Sequence, residues 1–508
     1  MTDPSARPPS RWGNRPLPTV IQGGMGVAVS SWRLASAVAR AGQLGVVSGT
    51  ALDLVLARRL QDGDPDGAMR RALAAFPVRE VAERALADHF VPGGRPAGEP
   101  YGPIPRLSLR QNRQVQELLV LGSFVEVWLA KEGHDGCVGI NLLEKIQMAT
   151  PAAVYGAMLA GVDVVLMGAG IPRDLPALLD SLAGHRNVHL PVEVSGATSG
   201  SHTVDLSPRD LLGPLPALRR PAFVAIISAE ILAIHLARDV ETRPDGFVIE
   251  GPKAGGHNAP PRGKLTLDDV GQPVFGPRDD ASVPKVADVG LPFWLAGTFG
   301  SPEALVAARA EGAAGVQVGT LFALSSDSDL LPGLRTELID SLRAGSLEVR
   351  TDPRVSPTGF PFKVAQLPGT LSDPAVEAQR PRLCDLGYLR SPYVRPNGSV
   401  GYHCAAEPEH VHVRKGGTVE DTLGRGCLCN SLTANVGLGQ VRSDGYVEKP
   451  LVTLGEDLDG ARRMLERHPD GWTALDALEW LLSEALLPSL TPSTCPPPLP
   501  SYAHSPPP

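Results

Sequence analysis

The chain has 508 residues, of which 43% are apolar and 20% charged, and its formal net charge is −8 at pH 7. This length allows one large barrel with a further domain or long insertions, and an acidic chain without a Lys/Arg run lacks the signature of a nucleic-acid-binding protein. Six cysteines are too few for a disulfide scaffold, and neither a signal peptide nor an apolar run of about 18 residues is present, so we expect a cytoplasmic protein without a membrane span.

Both ends of the chain are rich in proline and polar residues. Residues 1–16 combine Pro, Ser and Arg, and residues 491–508 read TPSTCPPPLPSYAHSPPP. Segments of this composition cannot bury enough apolar surface to offset the entropy of ordering, and proline favours an extended, solvated chain. We therefore predict two disordered tails.

Nine short apolar segments follow one another between residues 17 and 330, with helical patterns between them. They are TVIQGG (19–24), LGVVSG (44–49), CVGINL (137–142), VDVVLMG (162–168), LPVEVS (190–195), FVAIIS (223–228), DGFVIEG (245–251), PFWLAG (292–297) and GVQVGT (315–320). Short, uninterrupted apolar runs are typical of strands buried on both faces of a parallel sheet. Repeated strand–helix units predict an α/β fold, either a TIM (β/α)₈ barrel or an open doubly wound sheet.

Nine strands are one too many for a barrel, and the segment at 190–195 is the expected excess. It lies in a stretch without helical pattern, 188–218, which we interpret as an excursion beside the barrel. Residues 52–136 also interrupt the rhythm, with at least two helices, one of them over 111–133. We interpret them as an inserted helical segment that could cover the barrel mouth.

The pattern changes again after residue 330. Residues 350–450 are rich in Gly, Pro and polar side chains, and a last helical pattern covers 473–487. Pattern alone predicts no fold for the extension 331–490, which we describe as an irregular, cysteine-containing region packing on the barrel.

Glycine-rich turns follow the last two predicted strands. The segments AGTFGSPEAL (296–305) and VGTLFAL (318–324) each run from a strand end through a glycine turn into a helix start. Glycine lets backbone N–H groups approach an anion, the helix N-terminus adds partial positive charge, and these two loops are the usual phosphate site of (β/α)₈ barrels. Ordinary tight turns are the other interpretation. A dinucleotide fingerprint and a Walker A motif are both absent from the sequence.

The segment GFVIEGPKAGGHNAPPRG (246–263) places a histidine after a buried strand. Gly255 and Gly256 permit a flat ligand to approach the backbone, and His257 would project at the catalytic rim of the barrel. Imidazole is an acid and base near neutral pH and a good partner for an anionic substrate. This position favours a catalytic role over a structural one.

Five motifs occur in the order seen in one enzyme family. They are IQGGMG (21–26), VGINL (138–142), AGGH (254–257) and the AGTFG and VQVGT turns. With them the chain resembles the nitronate monooxygenases, formerly called 2-nitropropane dioxygenases, over residues 17–325. The FMN-dependent enoyl-ACP reductases look similar at the same places.

This resemblance implies an FMN cofactor and a set of residues around it. The phosphate would lie on the backbone of Gly297, Thr298, Gly319 and Thr320, and the flavin ring would contact Gly24, Met25, Gly26, Asn141, Gly168, Gly255 and Gly256. The resemblance also implies that His257 holds an alkyl nitronate or a related anion, or acts as base on a nitroalkane. Electrons would pass to the flavin, and molecular oxygen would reoxidise it.

The chain departs from the family where a carboxylate often precedes Ala-Gly-Gly-His. Lys253 stands there instead, and it would either face the flavin or point to water. The departures leave open an FMN- and NAD(P)H-dependent enoyl-thioester reductase, and a non-catalytic flavin-binding partner or sensor. A homodimer is the expected assembly, and neither nucleic acid nor a membrane is an expected partner.

Four cysteines lie close together in the C-terminal extension, with three histidines among them. They are Cys384, Cys404, Cys427 and Cys429, with His403, His410 and His412. A zinc site needs about four converging ligands, but the spacing is poor for a zinc ribbon. We therefore favour free thiols that pack a compact region, and predict no metal ligand.

Overall fold

The computed structural model describes Trp12 and residues 16–484. Both predicted tails fall outside these residues, except for Trp12 and Pro16. Residues 485–487 of the predicted last helix are also outside.

Fourteen β-strands are present in the described residues. They are β1 (Val20–Gln22), β2 (Gly45–Ser48), β3 (Val138–Leu143), β4 (Val164–Gly168), β5 (Val188–Pro191), β6 (Thr203–Leu206), β7 (Ala222–Ile227), β8 (Gly246–Glu250), β9 (Phe293–Ala296), β10 (Gly315–Val318), β11 (Glu348–Asp352), β12 (Phe362–Gln366), β13 (Ser391–Val394) and β14 (Val400–His403).

Eight of these strands form one parallel sheet in the order β1-β10-β9-β8-β7-β4-β3-β2. The first and last members also meet, since Ile21 pairs with Leu44 and the Gln22 N–H donates to the Leu44 carbonyl at 3.0 Å. The sheet is thereby closed into a ring. The eight strands coincide with eight of the nine apolar segments, so the predicted TIM (β/α)₈ barrel is confirmed.

Alternate side chains of the barrel strands face opposite sides, as the two-residue period of a strand requires. Ile21, Val46 and Val164 belong to an apolar cluster inside the barrel, whereas their neighbours Val20, Val47 and Val165 pack outward against helices. Both faces are buried, which explains why the strands are apolar throughout.

The helices of the described residues are one 3₁₀ helix, Glu144–Ala149, and nineteen α-helices. The α-helices are α1 (Trp32–Arg40), α2 (Leu52–Gln61), α3 (Ala68–Ala74), α4 (Arg79–His89), α5 (Arg113–Lys131), α6 (Thr150–Leu159), α7 (Leu175–Ala183), α8 (Pro208–Leu212), α9 (Glu230–Arg238), α10 (Val283–Ala287), α11 (Pro302–Ala310), α12 (Thr320–Ala323), α13 (Pro332–Arg343), α14 (Pro374–Glu377), α15 (Glu409–Arg414), α16 (Val419–Thr422), α17 (Leu428–Ala434), α18 (Asp459–Arg467) and α19 (Ala474–Leu482).

Residues 52–136 contain helices α2 to α5. The longest, α5, packs against α1 and α6 and so occupies the place of a barrel helix between β2 and β3. Its N-terminus is capped by Asn112, whose side chain accepts from the Val115 N–H at 3.0 Å. The segment is therefore partly barrel wall, and only α2, α3 and α4 are additional.

The excursion at 188–218 is an antiparallel hairpin, β5 with β6, followed by α8. It pairs Val188 with Leu206 and stays outside the barrel sheet, as expected for the ninth apolar segment. The strand is shorter and earlier than the predicted 190–195. Ser195 then pairs with Tyr393, so the excursion contacts the C-terminal extension.

The C-terminal extension contains two antiparallel hairpins, β11 with β12 and β13 with β14, among short helices. Buried hydrogen bonds hold it on the barrel. Tyr388 donates to Asp53 at 2.7 Å, and the Trp472 indole donates to the Leu321 carbonyl at 2.8 Å. Within residues 16–484, no helix combines the length and apolar character needed to cross a bilayer.

Candidate active site

A cavity of about 470 Å³ opens at the carboxyl ends of the barrel strands, where (β/α)₈ enzymes place their active sites. It brings together all twelve residues that the sequence predicted for the site. These are Gly24, Met25, Gly26, Asn141, Gly168, Gly255, Gly256, His257, Gly297, Thr298, Gly319 and Thr320. Lys253 is not among the lining residues.

Two glycines of this cavity are required by the backbone. Gly297 has φ +118, a conformation that side chains with a Cβ rarely adopt. A Cβ on Gly24 would stand 2.5 Å from the Asn141 Cβ, so only glycine lets the first strand's loop pass this asparagine. The backbone therefore comes close to whatever occupies the cavity.

His257 is held by a side chain that the sequence did not single out. Its Nε2 is 2.7 Å from Ser356 Oγ, which in turn lies 2.8 Å from Thr358 Oγ1. Its ring also packs edge-on against Phe362, with centroids 4.9 Å apart. Burial and, after it, the charge of Lys145 lower the pKa of His257 to about 4. The imidazole is thus neutral at pH 7.

The loop that carries His257 is clamped by the C-terminal extension. The Gly256 N–H donates to Thr453 Oγ1 at 2.9 Å, and the Lys363 N–H donates to the Gly256 carbonyl at 2.9 Å. A backbone bridge also joins His257 to Phe362. No sequence signal marked these partners, since they lie about 100 to 200 positions further along the chain.

Glu250 is a second titratable residue that the sequence analysis missed. It ends strand β8 and lines the cavity, and burial raises its pKa to about 8. The carboxyl group is therefore mostly protonated at neutral pH. A glutamate at the end of an otherwise apolar predicted strand was the signal available for it, because strand ends face the barrel mouth.

The glycine turn at 297–300 is covered by helix α18. The Gly455 N–H donates to Thr320 Oγ1 at 2.9 Å, and a Cβ on Gly460 would stand 2.0 Å from the Gly300 carbonyl oxygen. Arg463 of the same helix pairs with Glu303 at 2.7 Å and lines the cavity. The extension therefore closes the end of the cavity predicted to hold a phosphate.

Two buried acceptors in the cavity have no hydrogen-bond partner among the described residues, Asn141 Oδ1 and Gln317 Oε1. Unsatisfied buried acceptors are rare and costly in folded proteins, so they indicate a ligand with matching donors. The imide N–H and ribityl hydroxyls of a flavin are donors of this kind. The residues present therefore fit the predicted cofactor.

One wall of the cavity comes from the extension, including Tyr388, Leu389 and, from helix α17, Leu428, Cys429 and Leu432. Helix α17 therefore packs at the barrel mouth. No residue of 52–136, all of which are described, lines the cavity. The expectation that this segment covers the barrel mouth is wrong, because the extension occupies that place.

The cysteines predicted to pack the extension lie together as free thiols, with Cys404 and Cys427 buried and Cys384 and Cys429 against them. Across the part of the chain that the structure describes, no three or more His, Cys, Asp or Glu side chains are placed to hold a metal ion.

Comparison with known proteins gives a partial match. Residues 199–349 match the family model described as nitronate monooxygenase, so the resemblance to that family is confirmed over this segment. A relative from Mycobacterium tuberculosis, named (3aS,4S,5R,7aS)-5-hydroxy-7a-methyl-1-oxo-octahydro-1H-indene-4-carboxyl-CoA dehydrogenase, is 32% identical over 149 residues, which cover 24% of this chain and 39% of that protein. A protein of the same name from Rhodococcus jostii is 29% identical over 154 residues, covering 28% of this chain and 39% of its own. The chain thus spans about two-fifths of the length of these curated relatives.

Two solved structures align with this chain over most of its length. FabK from Thermotoga maritima is 18% identical, with 92% of each chain covered and a TM-score of 0.43. A nitroalkane oxidase from Streptomyces ansochromogenes is 15% identical, with 92% of this chain and 95% of that chain covered and a TM-score of 0.43. Similarity at this level is too low to bear on function.

Proposed function

We propose that the protein is an FMN-dependent oxidoreductase of the nitronate monooxygenase type, which oxidises alkyl nitronates or related anions with molecular oxygen. The observation that carries the proposal is the convergence of twelve predicted residues, His257 among them, on one cavity. A bound FMN would supply the redox chemistry, taking up electrons from the substrate and passing them to oxygen.

The turns at Gly297 and Gly319 are proposed to hold the phosphate of the cofactor. Gly297 adopts a left-handed conformation, and helix α11 begins a few residues beyond it with Ser301 as its cap. Backbone N–H groups at such a turn bind phosphate without a charged side chain. Thr320 and the covering helix α18 would exclude water from this end.

Asn141 and Gln317 are proposed to orient the flavin, because each presents a buried oxygen without a protein donor. The Asn141 amide nitrogen already donates to the Gly24 carbonyl at 3.3 Å, which fixes its orientation. Satisfying both acceptors on binding would contribute to affinity in addition to apolar contacts.

His257 is proposed to accept or hold the substrate's proton. A neutral imidazole can take a proton from the carbon next to a nitro group, whereas an imidazolium cannot. The hydrogen bond to Ser356 and the contact with Phe362 hold the ring in place. The nearby charge of Lys145, which acts on His257, would also favour an anion in the cavity.

Glu250 is proposed to remain protonated while the enzyme works near neutral pH. A carboxylate beside the cavity would repel an anionic substrate, whereas a protonated carboxyl group can donate a hydrogen bond to it. Its raised pKa therefore favours anionic substrates below about pH 8.

A second candidate is an FMN- and NAD(P)H-dependent reductase of enoyl thioesters. The two curated relatives favour it, since both are named as dehydrogenases of a carboxyl-CoA compound. This activity would use the same flavin site but a nicotinamide as electron donor.

The test is an anaerobic visible spectrum of the FMN-loaded protein before and after addition of a small alkyl nitronate. We expect the oxidised-flavin bands to bleach, and oxygen uptake to follow when air is admitted. A spectrum that stays oxidised with nitronate but bleaches with NADH or NADPH would replace the first candidate by the second. Protein purified in FMN that carries no flavin would contradict both.

The test variant is His257→Ala, and its matched control is His235→Ala. His235 is exposed on helix α9 and does not line the cavity, so its variant should bleach like the wild type. The His257 variant should bind flavin and fail to reduce it with a nitroalkane. Equal reduction by both variants would remove His257 from the reaction.

A further inference from the structure

Four cysteines from three segments of the extension surround one small apolar cavity. Cys384 precedes strand β13, Cys404 follows β14, and Cys427 and Cys429 stand at the start of α17. The cavity has a volume of about 10 Å³, which is about one water-sized sphere. All four are free thiols, and Cys384 packs in one cluster with the buried Cys404.

The thiol cluster stands directly behind the candidate active site. Leu389, Leu428 and Cys429 line both its small cavity and the large cavity of the barrel mouth. The two cavities are therefore separated by a single layer of side chains.

The four thiols have unequal environments. Cys384 is partly exposed, and its contact with Cys404 and the positive charges of Arg390 and Arg106 lower its pKa to about 7, although burial and Glu407 oppose this. Contact with Cys384 and burial raise the pKa of Cys404. One thiol of the pair thus ionises near neutral pH while its neighbour keeps its proton, as in a nucleophile with an adjacent proton donor.

The other two thiols are buried and protonated. Burial raises the pKa of both Cys427 and Cys429. The Asn430 side-chain N–H also points at Cys427 Sγ, 3.5 Å away. They belong to the apolar wall and not to the reactive pair.

We propose that Cys384 and Cys404 form a reversible dithiol–disulfide pair that is oxidised by hydroperoxides. The proposal rests on the packing of both thiols around one small cavity and on the partial exposure of Cys384 beside the buried Cys404. It does not depend on the flavin reaction.

The chemistry balances in two steps. The Cys384 thiolate attacks one peroxide oxygen, the O–O bond breaks, and the leaving hydroxide takes a proton to become water, which leaves a sulfenic acid on Cys384. The Cys404 sulfur then attacks the Cys384 sulfur, the S–O bond breaks, and hydroxide leaves with the Cys404 proton as a second water. The two thiols lose two electrons and two protons, and the peroxide is reduced. Closing the bond to about 2.05 Å requires the two packed sulfurs to move together.

The test titrates the full-length protein with one to ten equivalents of hydrogen peroxide, in a Cys495→Ser background, followed by differential alkylation and peptide mass spectrometry. We expect two thiols to be lost per chain, one linked peptide pair containing Cys384 and Cys404, and full recovery with dithiothreitol. The Cys404→Ser variant should accumulate a sulfenic acid at Cys384 that dimedone traps. The control Cys137→Ser should lose the same two thiols as the parent.

A measurement on the wild-type thiols tests the proposal even if a variant fails to fold. Iodoacetamide at pH 7 should label Cys384 at least ~10-fold faster than Cys427, because only thiolates react. Unchanged thiol content after peroxide, disulfides at Cys427 or Cys429 instead, or similar labelling rates would each overturn the proposal. About one equivalent of zinc or iron in the purified protein, with thiols that react only after chelation, would also overturn it and assign the cluster to a metal centre.

Discussion

The barrel and the C-terminal extension contribute to the candidate site in different ways. The barrel contributes the turns at Gly24, Gly297 and Gly319 at the ends of parallel strands, together with the side chains of Asn141 and His257. The extension contributes side chains, such as Ser356 against His257 and the Leu428 wall. The barrel therefore determines where a ligand would lie. The extension determines the burial and protonation of the side chains that would contact this ligand.

The protonation state of His257 illustrates this division. The residue belongs to a barrel loop, yet Ser356, Phe362 and Thr453 of the extension hold it or its loop. Its pKa falls to about 4 chiefly because it is buried. A barrel without the extension would leave the imidazole more exposed, with a pKa nearer its ordinary value. The predictions below test this comparison, from the largest expected effect to the smallest.

The largest effect is expected for His257→Ala. Loss of the proposed general base should lower kcat/KM for a nitroalkane by about 10³-fold, within the range known for positioned acids and bases. Steady-state oxygen uptake measures it. FMN affinity should change little, since the barrel backbone is proposed to hold the cofactor. Loss of flavin from this variant would contradict the division between the two regions.

Gly297→Ala should weaken FMN binding by about 10- to 100-fold. A Cβ at φ +118 costs about 1–3 kcal/mol of backbone strain, relieved only by moving the proposed phosphate turn. Fluorescence titration of the apoprotein measures the dissociation constant. The matched control is Gly300→Ala, whose Cβ would make only ordinary contacts with Leu321 at 3.9 Å. Equal affinities for the two variants would remove the phosphate role from this turn.

Ser356→Ala tests the extension as a positioning element. We expect kcat to fall about 10-fold at nearly constant KM, because the imidazole loses one hydrogen bond but keeps its place in the cavity. Ser356→Thr should restore most of the rate, which a merely structural role would not predict. The control is Ser346→Ala, an exposed serine of the same extension. A drop in KM and kcat together would indicate a packing defect instead.

The smallest effect is expected for Glu250→Gln, and it is a pH dependence. In the folded chain the pKa of Glu250 is about 8, against an ordinary value of 4.5, so the folded state retains a proton that the unfolded chain releases between these values. The free energy of unfolding should therefore fall as pH rises through this window, and this contribution should disappear in the variant. Urea unfolding of apoprotein at pH 5 and pH 8 measures the difference.

The control for that experiment is Glu377→Gln, an exposed glutamate at the end of α14. It should follow the wild type at both pH values. His257 has the opposite effect on the free energy of unfolding at lower pH. Its pKa in the folded chain lies below the ordinary 6.5, so its stabilising contribution is lost as the pH falls toward 4. A variant curve parallel to that of the wild type would show that Glu250 ionises normally.

Much of the barrel could be predicted because its signals are local. Each buried strand is a short apolar run, and each ligand-facing turn is a glycine cluster directly after it, as at 254–257 and 296–300. The excursion at 188–218 was recognisable because its sequence shows no helical pattern, although the structure places the short helix α8 there. The segment 52–136 was misjudged, because sequence spacing does not distinguish helices in the barrel wall from helices over its mouth.

By itself, then, the sequence determined the eight barrel strands, the order of the glycine turns and the position of His257, since these depend on residues adjacent in the chain. Only the tertiary structure decided that Ser356 and Thr453 hold the histidine loop, that α18 covers the proposed phosphate end, and that four cysteines share a wall with the cavity. These contacts join positions tens to hundreds of residues apart. Their partners carry no mark in the sequence, because it is burial and proximity in the fold that set their hydrogen bonds and pKa values.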